Sequence, residues 1–495
     1  MEEGLTKTKL IFGFLLVLYA SITLTCTHAA DTISANQIFR YNETIISAHE
    51  TFELGFFNPG NSTNYYVGIW YKKIPKRTYV WVANRNTPVT DTSCELTLTL
   101  QGVLIIQNAT TSDVIWPSAN SSMTTVRNPI GQLLDTGNFM IYSDNVSHVN
   151  PIWQSFDFMT DTLLPGMKLG WNWVTRTERY LTSWKFRDDP ALGDYSLKVD
   201  TKGYPQMILW DVEKIKFHAG PRDRLRFSGD PDLKPNPIYN FTFVVNQREI
   251  YYQYNLIDTS FITRLVLQPS GNIECLLWVD SIQDWSLYLT PEGDYCDRYV
   301  VCKAFGSCNI DKSSLCECLK GFEPTSPEQW RVAIWSQGCR RTTPLDCGPS
   351  EGFNKYINMK LPDTLGSWYN QTMTLVECEN MCKSNCSCTA YTNLNASGTG
   401  SGCLLWFGDL TDIKTIAETG DSLYIRMPPS ELGIPENRSG DEDLELRLFC
   451  LSSLLTATNN FSMDNKLGEG GFGPVYKVFY DSIVGSVLLN IRENM

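Results

Sequence analysis

Short stretches in which apolar residues recur at every second position are the main pattern of the first three hundred residues. Residues 241–245 and 264–267 are examples. A period of two is typical of half-buried antiparallel strands, because successive side chains of a strand point to opposite faces of the sheet. The pattern therefore predicts a mainly β structure whose strands cover a core on one side.

Three predicted strands in the N-terminal third of the chain end on a tryptophan. Trp81, Trp116 and Trp153 follow one another at spacings of 35 and 37 residues, and glycine turns at Gly102 and Gly137 open strands ahead of the last two. Near-equal periods indicate repeated units that share one core. We expect three small sheets around a pseudo-threefold axis, with the indoles filling the centre.

Composition agrees with a β-rich protein of several domains. The chain has 495 residues with 34 glycines and 24 prolines, and only 19% of its residues are charged. This length exceeds what one hydrophobic core usually organises. The formal net charge of −13 argues against nucleic acid as a partner, because binding phosphates requires clustered lysine and arginine. The acidity identifies no other partner.

Residues 1–29 have the features of a cleaved secretory signal. Lys7 and Lys9 precede an apolar run at 10–24, and Ala29 is a small residue suited to signal peptidase. A transmembrane anchor is the alternative interpretation, although the run is shorter than the roughly 20 residues that a span needs. The signal predicts that the mature chain meets an oxidising compartment.

Cysteine usage agrees with that compartment. Twelve of the 16 cysteines lie in residues 296–403, a density typical of small disulfide-held modules. Thiolate zinc sites, for example at Cys316 with Cys318 or at Cys386 with Cys388, are the alternative, and secretion makes disulfides the favoured reading. Spacing alone permits fifteen pairings among the first six of these cysteines.

Asn-x-Ser/Thr sequons, which mark surface loops of secreted proteins, occur ten times in residues 31–443. Their asparagines are Asn42, Asn61, Asn108, Asn120, Asn145, Asn240, Asn370, Asn385, Asn395 and Asn437. We expect these residues to be glycosylation sites.

Four segments around the tryptophans point to a family. They are Gly-Ile-Trp-Tyr at 68–71, Trp-Val-Ala-Asn-Arg at 81–85, Leu-Asp-Thr-Gly-Asn at 134–138 and Trp-Gln-Ser-Phe-Asp at 153–157. Together they resemble the bulb-type lectin domain of plant S-locus receptor-like kinases. The next stretch, which includes Thr-Asp-Thr-Leu-Leu-Pro-Gly-Met-Lys-Leu-Gly at 160–170, resembles the S-locus glycoprotein region of that family, a second lectin-like β domain.

The cysteine-rich part resembles two further modules of the family. Cys316-x-Cys318-x-x-Gly-Phe is similar to an EGF-like module, and a capping box at 374–377 predicts a helix with Cys378 and Cys382 on one face, as in PAN/apple domains. The resemblance implies the pairs Cys296–Cys308, Cys302–Cys316, Cys318–Cys339, Cys378–Cys403 and Cys382–Cys388, and leaves Cys347 for Cys386. Residues 423–426 are expected to form the closing strand.

Two cysteines fall outside both modules. Cys94 and Cys275 either bridge each other or remain thiols that permit intermolecular pairing. Because no acidic pair precedes Cys296, we expect no calcium at the EGF-like module, and we expect no other metal.

The predicted fold class is a mainly β multidomain protein. It comprises two bulb-lectin-like β-prism domains, a small disulfide-rich EGF-like module, an α+β PAN/apple domain and a largely unstructured C-terminal kinase remnant. The expected bounds are 1–29 for the signal peptide, 31–157 for the bulb-type lectin domain, 158–291 for the S-locus glycoprotein domain, 292–342 for the EGF-like module, 347–427 for PAN/apple, 428–443 for a polar linker and 444–495 for the truncated kinase N-terminus.

The segment after the PAN/apple region departs from the family's receptors. Residues 427–443 are polar where those receptors have a membrane helix, and the apolar stretch at 444–455 is too short and too charged to span a bilayer. The kinase glycine-loop pattern then appears at Gly468, Gly470, Gly473 and Val475. Because the strand lysine and the catalytic and magnesium-binding residues of kinases do not follow, we expect a vestigial ATP loop, no catalytic residue and no cofactor.

Mannose-binding members of the lectin family use Gln-x-Asp-x-Asn-x-Val-x-Tyr. In the run Leu133, Asp135, Gly137, Phe139 and Ile141 only the aspartate matches. The run Thr99, Gln101, Val103, Ile105 and Gln107 matches at none of the four polar positions. Because a pocket without polar groups cannot orient a sugar, we expect these strands to be structural.

Three functions remain open at the level of sequence. The first is a secreted recognition glycoprotein of the S-locus type, binding an extracellular protein or carbohydrate in pollen recognition or defence and pairing with itself or with full-length receptors. The second is a fragment of a plasma-membrane receptor kinase, and the third is a mannose-binding lectin. The scattered histidines His49, His148 and His218 lie near no nucleophile motif, so an enzyme is not expected.

Overall fold

The computed structural model describes residues 31–119, 127–143, 151–222, 226–229, 236–291, 293–394, 401–416, 420–432, 462–470, 473–480 and 483–488. The chain forms two compact units, Met1–Leu432 and Gly433–Met495, and each is described separately. The expected signal peptide at 1–29 lies outside the described residues, as does most of the polar linker.

Three four-stranded antiparallel sheets form the first prism, which comprises strands β1 to β12. The sheet orders are β3-β4-β5-β6, β2-β7-β8-β9 and β1-β10-β11-β12, so that the first strand of the chain completes the last sheet. The bounds are β1 Thr32–Ser34, β2 Ile38–Phe39, β3 Thr44–Ile46, β4 Phe52–Phe57, β5 Tyr66–Tyr71, β6 Tyr79–Val82, β7 Cys94–Leu98, β8 Leu104–Asn108, β9 Val114–Pro117, β10 Pro129–Leu133, β11 Phe139–Ser143 and β12 Trp153–Gln154.

The repeated tryptophans close the three sheets at one centre. Trp81, Trp116 and Trp153 lie on β6, β9 and β12, the last strand of each sheet. The ring centroid of Trp81 is 6.3 Å from that of Trp116 and 6.0 Å from that of Trp153. Gly102 and Gly137 have φ of 75° and 84°, a conformation that glycine adopts without steric cost. The predicted three-sheet repeat is confirmed.

The second prism, strands β13 to β24, repeats this architecture. Its sheet orders are β13-β22-β23-β24, β15-β14-β21-β20 and β16-β17-β18-β19. The bounds are β13 Thr162–Leu163, β14 Leu169–Asn172, β15 Thr177–Arg179, β16 Leu181–Phe186, β17 Asp189–Asp200, β18 Gln206–Asp211, β19 Lys214–Pro221, β20 Tyr239–Val245, β21 Glu249–Leu256, β22 Thr263–Leu267, β23 Ile273–Val279 and β24 Asp284–Leu289. One buried apolar cluster runs through both prisms, from Ile33 to Trp278.

Residues 293–432, here called the disulfide-rich module, contain an eight-stranded sheet, a two-stranded sheet and two α-helices. The sheet orders are β26-β25-β33-β29-β34-β31-β32-β30 and β27-β28. The bounds are β25 Gly306–Cys308, β26 Cys316–Cys318, β27 Phe322–Pro324, α1 Pro327–Arg331, β28 Cys339–Arg341, β29 Gly352–Lys360, β30 Trp368–Asn370, α2 Leu375–Ser384, β31 Cys388–Asn393, β32 Cys403–Phe407, β33 Ile413–Thr415 and β34 Asp421–Met427.

Two features of this module bear on its predicted division. Thr374 and Glu377 form the predicted capping box at the start of α2, and β34 contains the expected closing strand. The larger sheet, however, joins the EGF-like and PAN/apple regions, because β25 pairs in parallel with β33. The EGF-like and PAN/apple regions therefore contribute strands to one sheet.

Short 3-10 helices occur at Ser155–Asp157, Tyr295–Asp297, Pro429–Glu431 and Met463–Asn465. In the second unit, β35 Lys466–Gly470, β36 Gly473–Tyr480 and β37 Ile483–Leu488 form an antiparallel sheet. Across all the residues whose placement is described, no helix is both long enough and apolar enough to cross a membrane.

Candidate functional site

The run compared with the mannose motif lies on the core side of the first prism. Leu133, Phe139 and Ile141 are fully buried, and they share a face because alternate residues of a strand point the same way. Asp135, in the turn between β10 and β11, accepts a hydrogen bond from the backbone N–H of His49 at 2.9 Å and lies 2.7 Å from its Nδ1. The hydrogen bonds from His49 outweigh the opposing effect of burial and lower the pKa of Asp135. Three side chains of this run therefore belong to the core of the prism, and its aspartate is engaged with His49.

Sequence reasoning missed a second alignment of the mannose motif with these strands, which is shifted by one residue. Asn138 and Tyr142 stand at the spacing of the motif's asparagine and tyrosine. Asn138, however, donates to Gln154 Oε1 at 2.9 Å, and its own Oδ1 accepts from Ser155 Oγ and from the backbone N–H of Phe156, both at 3.2 Å. Its amide is therefore engaged in joining β11 to the 3-10 helix that follows β12.

The second run compared with the motif faces outward from β8 and its preceding turn. Val103 is nevertheless buried, while Gln101 is exposed. Thr99 fixes the turn, since its hydroxyl accepts from the backbone N–H of Val103 at 3.1 Å. Ile105 and Gln107 are half-buried on the same face. This arrangement presents few polar groups to a sugar.

Arg85, the last residue of the Trp-Val-Ala-Asn-Arg segment, ties the first prism to the second. Its Nε donates to Pro190 O at 2.7 Å and its Nη2 to Ser183 O at 2.8 Å. Burial lowers the pKa of Arg85 to about 10, against the opposing charge of Asp161. A buried guanidinium that is satisfied by carbonyls of another domain fixes the geometry of the two prisms.

Asp161 lies close enough to Arg85 for their charges to interact. Burial raises the pKa of its carboxyl, while the charges of Arg85 and Arg264 act in the opposite direction. Its Oδ1 accepts from Thr162 Oγ1 at 3.0 Å. The boundary between the prisms therefore contains buried charged groups. The attraction between the Arg85 guanidinium and the Asp161 carboxylate partly offsets the cost of burying them.

A buried polar cluster joins the second prism to the disulfide-rich module. Asp412 Oδ2 lies 2.8 Å from Lys360 Nζ and 2.6 Å from His218 Nδ1. The side chains of Lys360 and His218 are fully buried, and that of Asp412 is 3% exposed. Burial opposes ionisation of Asp412, but the nearby charge of Lys360 and the hydrogen bond from His218 prevail and hold its pKa well below the usual range.

The cluster continues through the side chains of Gln206, Asp363 and Tyr299. Gln206 contacts His218 Nε2 through its Oε1 and donates to Asp363 Oδ1 at 2.8 Å through its Nε2. Tyr299 donates its hydroxyl to the other oxygen of Asp363, and burial followed by this bond raises the pKa of Tyr299. The network satisfies each of these buried polar side chains, as a buried site requires.

Three further ion pairs, made by Lys414 and Arg426, hold the module together. Lys414 Nζ lies 2.7 Å from Asp297 Oδ1 and 2.9 Å from Asp294 Oδ2; burial opposes its charge, but the two carboxylates outweigh burial and raise the pKa of Lys414. Arg426 pairs with Glu351 at 2.7 Å, and both side chains are buried. Arg426 also donates to Asn385 O at 2.9 Å, which satisfies a carbonyl at the end of α2.

Six disulfide bonds cross the module, and they are the same pairs that the family resemblance implied. They join Cys296 to Cys308, Cys302 to Cys316, Cys318 to Cys339, Cys347 to Cys386, Cys378 to Cys403 and Cys382 to Cys388. Cys378 and Cys382 lie buried on one face of α2, where each is bonded to the sheet or to the segment that leads into it.

The two remaining described cysteines lie in different prisms, and no disulfide of the described chain joins them. Cys94 is buried in β7, and burial raises the pKa of its thiol to about 11, reinforced by the charge of Asp91. A buried thiol of high pKa reacts slowly with disulfides. Cys275 lies on β23 and is half-buried.

The sequons differ in accessibility. Asn42, Asn61, Asn240 and Asn385 are exposed, while Asn108 and Asn370 are half-buried. Asn120, Asn145, Asn395 and Asn437 lie outside the described residues. The four exposed asparagines are spread over both prisms and the disulfide-rich module.

The glycine-rich segment forms a β-hairpin in the second unit. Gly470 pairs with Gly473 at the turn, and Gly468 pairs with Val475. This backbone shape is that of a strand–turn–strand loop, in which small residues permit close approach of a phosphate. In the part of the chain that is described, no group of three or more His, Cys, Asp or Glu side chains is arranged to hold a metal ion.

Three family models match the chain. The model for D-mannose binding lectin matches residues 78–185, that for the S-locus glycoprotein domain residues 217–326, and that for the PAN-like domain residues 347–413. The three matches begin in the first prism, the second prism and the disulfide-rich module respectively, and each of the first two extends into the region that follows.

Curated relatives include both receptor kinases and a glycoprotein. The chain is 36% identical to receptor-like serine/threonine-protein kinase SD1-8 of Arabidopsis thaliana over 94% of its own length and 62% of the relative's. It is 37% identical to S-locus-specific glycoprotein S6 of Brassica oleracea over 85% of its length and 97% of the relative's. It is 34% identical to a putative inactive G-type lectin S-receptor-like serine/threonine-protein kinase SRK of Arabidopsis thaliana, covering 95% of that protein.

Proposed function

Because the chain belongs to the family of S-locus glycoproteins and G-type lectin S-receptor-like kinases, we propose that it is an extracellular recognition glycoprotein without catalysis of its own. The observation that carries this proposal is the match to S-locus-specific glycoprotein S6 over 97% of that protein. The ligand is an extracellular protein or carbohydrate, in pollen recognition or in defence, and no cofactor takes part.

The structure supports an extracellular site of action. Six disulfides in one module suit an oxidising compartment, because cytosolic reductants keep thiols reduced. Exposed sequons at Asn42, Asn61, Asn240 and Asn385 suit the same compartment. We propose that these four, together with Asn108, Asn370 and the sequons outside the described residues, carry N-glycans.

The domain bounds that we propose are those expected from the sequence, except that the last two regions are treated together. We place a bulb-type lectin domain at 31–157, an S-locus glycoprotein domain at 158–291, an EGF-like region at 292–342 and a PAN/apple region at 347–427. The last two act as one body, since β25 and β33 pair in parallel.

Secretion of the full chain from plant cells tests the proposal. We expect the protein in the apoplastic fluid without detergent, and we expect its apparent mass to fall after enzymatic removal of N-glycans. Substitution of Asn240 by Gln serves as a control, because it should remove one glycan and leave secretion unchanged. Recovery of the chain only from detergent-solubilised membranes would contradict the proposal.

A second experiment addresses recognition. We expect the secreted chain, immobilised on a resin, to capture an extracellular ligand, and we expect soluble chain added to cells with a full-length receptor to reduce receptor signalling by sequestering ligand or pairing with the receptor. Unchanged signalling at saturating concentrations of the added chain would contradict this decoy role.

A portion of a membrane receptor kinase is the second candidate. The hairpin at Gly468–Val475 favours it, as does the fact that the chain spans 62% of the receptor-like kinase SD1-8. Sequencing of the transcript against the gene across residues 427–443 and beyond Lys477 tests this candidate. A transcript that encodes a membrane helix and a complete kinase would establish it, and uninterrupted exons without them would exclude it.

A further inference from the structure

A large cleft separates the first prism from the second. It has a volume of about 720 Å³ and is open along one side. One wall is the segment from Lys76 to Tyr79 that leads into β6, and the other is formed by β16, β22 and the start of β24. This volume lies within the roughly 300–1,000 Å³ that is typical of a ligand site, and the open side lets a short oligosaccharide extend beyond it.

Flat aromatic side chains line both ends of the cleft. Trp285 is fixed in place, because its Nε1 donates to Thr78 Oγ1 at 3.1 Å and its ring lies 4.6 Å from the guanidinium carbon of Arg264. At the other end Phe186 is 60% exposed and Trp184 packs on Tyr79. Aromatic faces attract the C–H groups of a sugar ring, because the face is electron-rich and those C–H groups carry partial positive charge.

Four cationic side chains also line the cleft. Lys76 pairs with Asp284 at 2.9 Å, and Glu274, an acidic group of the same cleft, accepts from Gln268 Nε2 at 2.7 Å. Among the described residues, Arg77 and Arg187 form no ion pair, and both are exposed. Because Asp161, Glu274 and Asp284 also line the cleft, its net charge is only +1, and Arg77 and Arg187 are the described cations of the lining that stand outside ion pairs.

Arg264 provides a further, partly used cation. Its buried Nε has no hydrogen-bond acceptor among the described residues. Burial lowers the pKa of Arg264, and the carboxylate of Asp161 only partly offsets this effect. A second anion near Arg264 would stabilise its charge, because a poorly solvated guanidinium gains from each added carboxylate.

From this combination we propose that the cleft binds an oligosaccharide of uronic acids, a chain whose sugar rings each carry a carboxylate. The aromatic faces take the rings, and Arg77, Arg187 and Arg264 take the carboxylates. A neutral sugar chain would leave Arg77 and Arg187 without anionic partners, and an apolar molecule would desolvate the charged lining without pairing it. The inference rests on the proposed recognition function and gives the chemical class of its ligand.

Titration calorimetry with the secreted full chain tests the proposal. The probes are a defined hexamer of galacturonic acid, the same hexamer fully methyl-esterified and a neutral mannose hexamer. We expect binding of the acidic hexamer that weakens as salt is raised, because surface charges are screened. We expect the esterified and neutral hexamers to bind at least tenfold more weakly. Equal affinity for all three, or no binding of the acidic hexamer, would overturn the proposal.

Variants localise the binding. The double substitution Arg77→Gln with Arg187→Gln should weaken binding of the acidic hexamer about five- to tenfold, because it removes the unpaired charges of the cleft. Arg248→Gln, an exposed cation outside the cleft, is the matched control and should leave affinity unchanged. Both changes are at exposed side chains, and near-ultraviolet circular dichroism verifies that the fold is intact. An unaffected double variant would place the ligand elsewhere and overturn the proposal.

The result also separates this inference from the proposed function. A chain that is secreted and captures an extracellular ligand, but does not bind the acidic hexamer, disproves the uronate site and leaves the recognition function standing. A chain that remains in membranes and captures nothing disproves the recognition function itself.

Discussion

The prism pair and the disulfide-rich module are stabilised in different ways. The prisms share one continuous cluster of buried apolar side chains, and the six disulfides lie elsewhere. The module has smaller apolar clusters and is crossed by all six disulfides and by buried ion pairs such as Arg426 with Glu351. The difference shows that covalent and ionic links take over where a region is too small to build a large core.

Removal of an indole at the centre of the first prism should produce the largest effect. Trp81→Ala leaves a cavity among three sheets, and we expect it to lower the free energy of unfolding by about 3–5 kcal/mol. Urea unfolding followed by fluorescence measures the loss. Trp173→Ala, at a residue that is 42% exposed and stacks on Trp171, is the control and should cost about 0.5–1.5 kcal/mol. Equal losses would show that the prism core does not depend on its centre.

The buried ion cluster gives the next effect. Asp412→Asn leaves the buried charge of Lys360 without its carboxylate, and we expect a loss of about 3 kcal/mol. Asp409→Asn, at an exposed position three residues earlier, is the matched control. If both variants unfold at the same urea concentration, the cluster is not what joins the module to the second prism.

Removing a disulfide should affect the module selectively. The double change Cys378→Ser with Cys403→Ser should cost about 2–4 kcal/mol by freeing the unfolded chain. Hydrogen exchange should show lost protection in α2 and β32, while β4 to β6 of the first prism remain protected. Loss of protection in the prisms as well would mean that the two regions unfold as one.

Acid should weaken the module through Asp412. Because the pKa of Asp412 is depressed in the folded state, the unfolded chain binds more protons at low pH, and the stabilisation present above about pH 4 is lost as the pH falls below that value. Asp161, between the prisms, has a raised pKa, so protonation there relieves a penalty instead. In thermal unfolding experiments between pH 7 and pH 3, the unfolding temperature of the disulfide-rich module should therefore fall before that of the prisms. A fall that begins in the prisms would contradict this assignment.

The smallest effect is expected at the helix cap of the module. Thr374→Ala removes the side chain that accepts from the backbone N–H of Glu377, and we expect a loss of about 1 kcal/mol. Thr374→Ser keeps the hydroxyl and should restore most of the stability. If alanine and serine behave alike in urea unfolding, the capping box contributes nothing measurable.

The sequence predicts local and repeated features of this fold well. The spacing of Trp81, Trp116 and Trp153 predicts three sheets because each unit needs the same large residue at a shared centre. The capping box at Thr374 predicts the start of α2 because its partners are three residues apart. Contacts of this kind depend on short spacings that are visible in the chain.

Features that depend on distant residues could not be predicted. His218 and Asp412 meet although 194 residues separate them, and no local pattern marks either as a partner of the other. Sequence alone does not say which side of a strand faces inward. The alignment of residues 133–141 with the mannose motif therefore used side chains that face the core. A one-residue shift brings Asn138 and Tyr142 into the motif and reverses the face.

The parallel pairing of β25 with β33 defines what can be exchanged between relatives. A chimera that takes residues 347–427 from another family member would place a foreign β33 beside the native β25, and a mismatch there would leave unpaired backbone groups at the edge of both. The unit of recombination is therefore at least residues 293–432 as a whole. Because His218 of the second prism contacts the buried Asp412 of this unit, a replacement module must also keep the partners that the second prism offers.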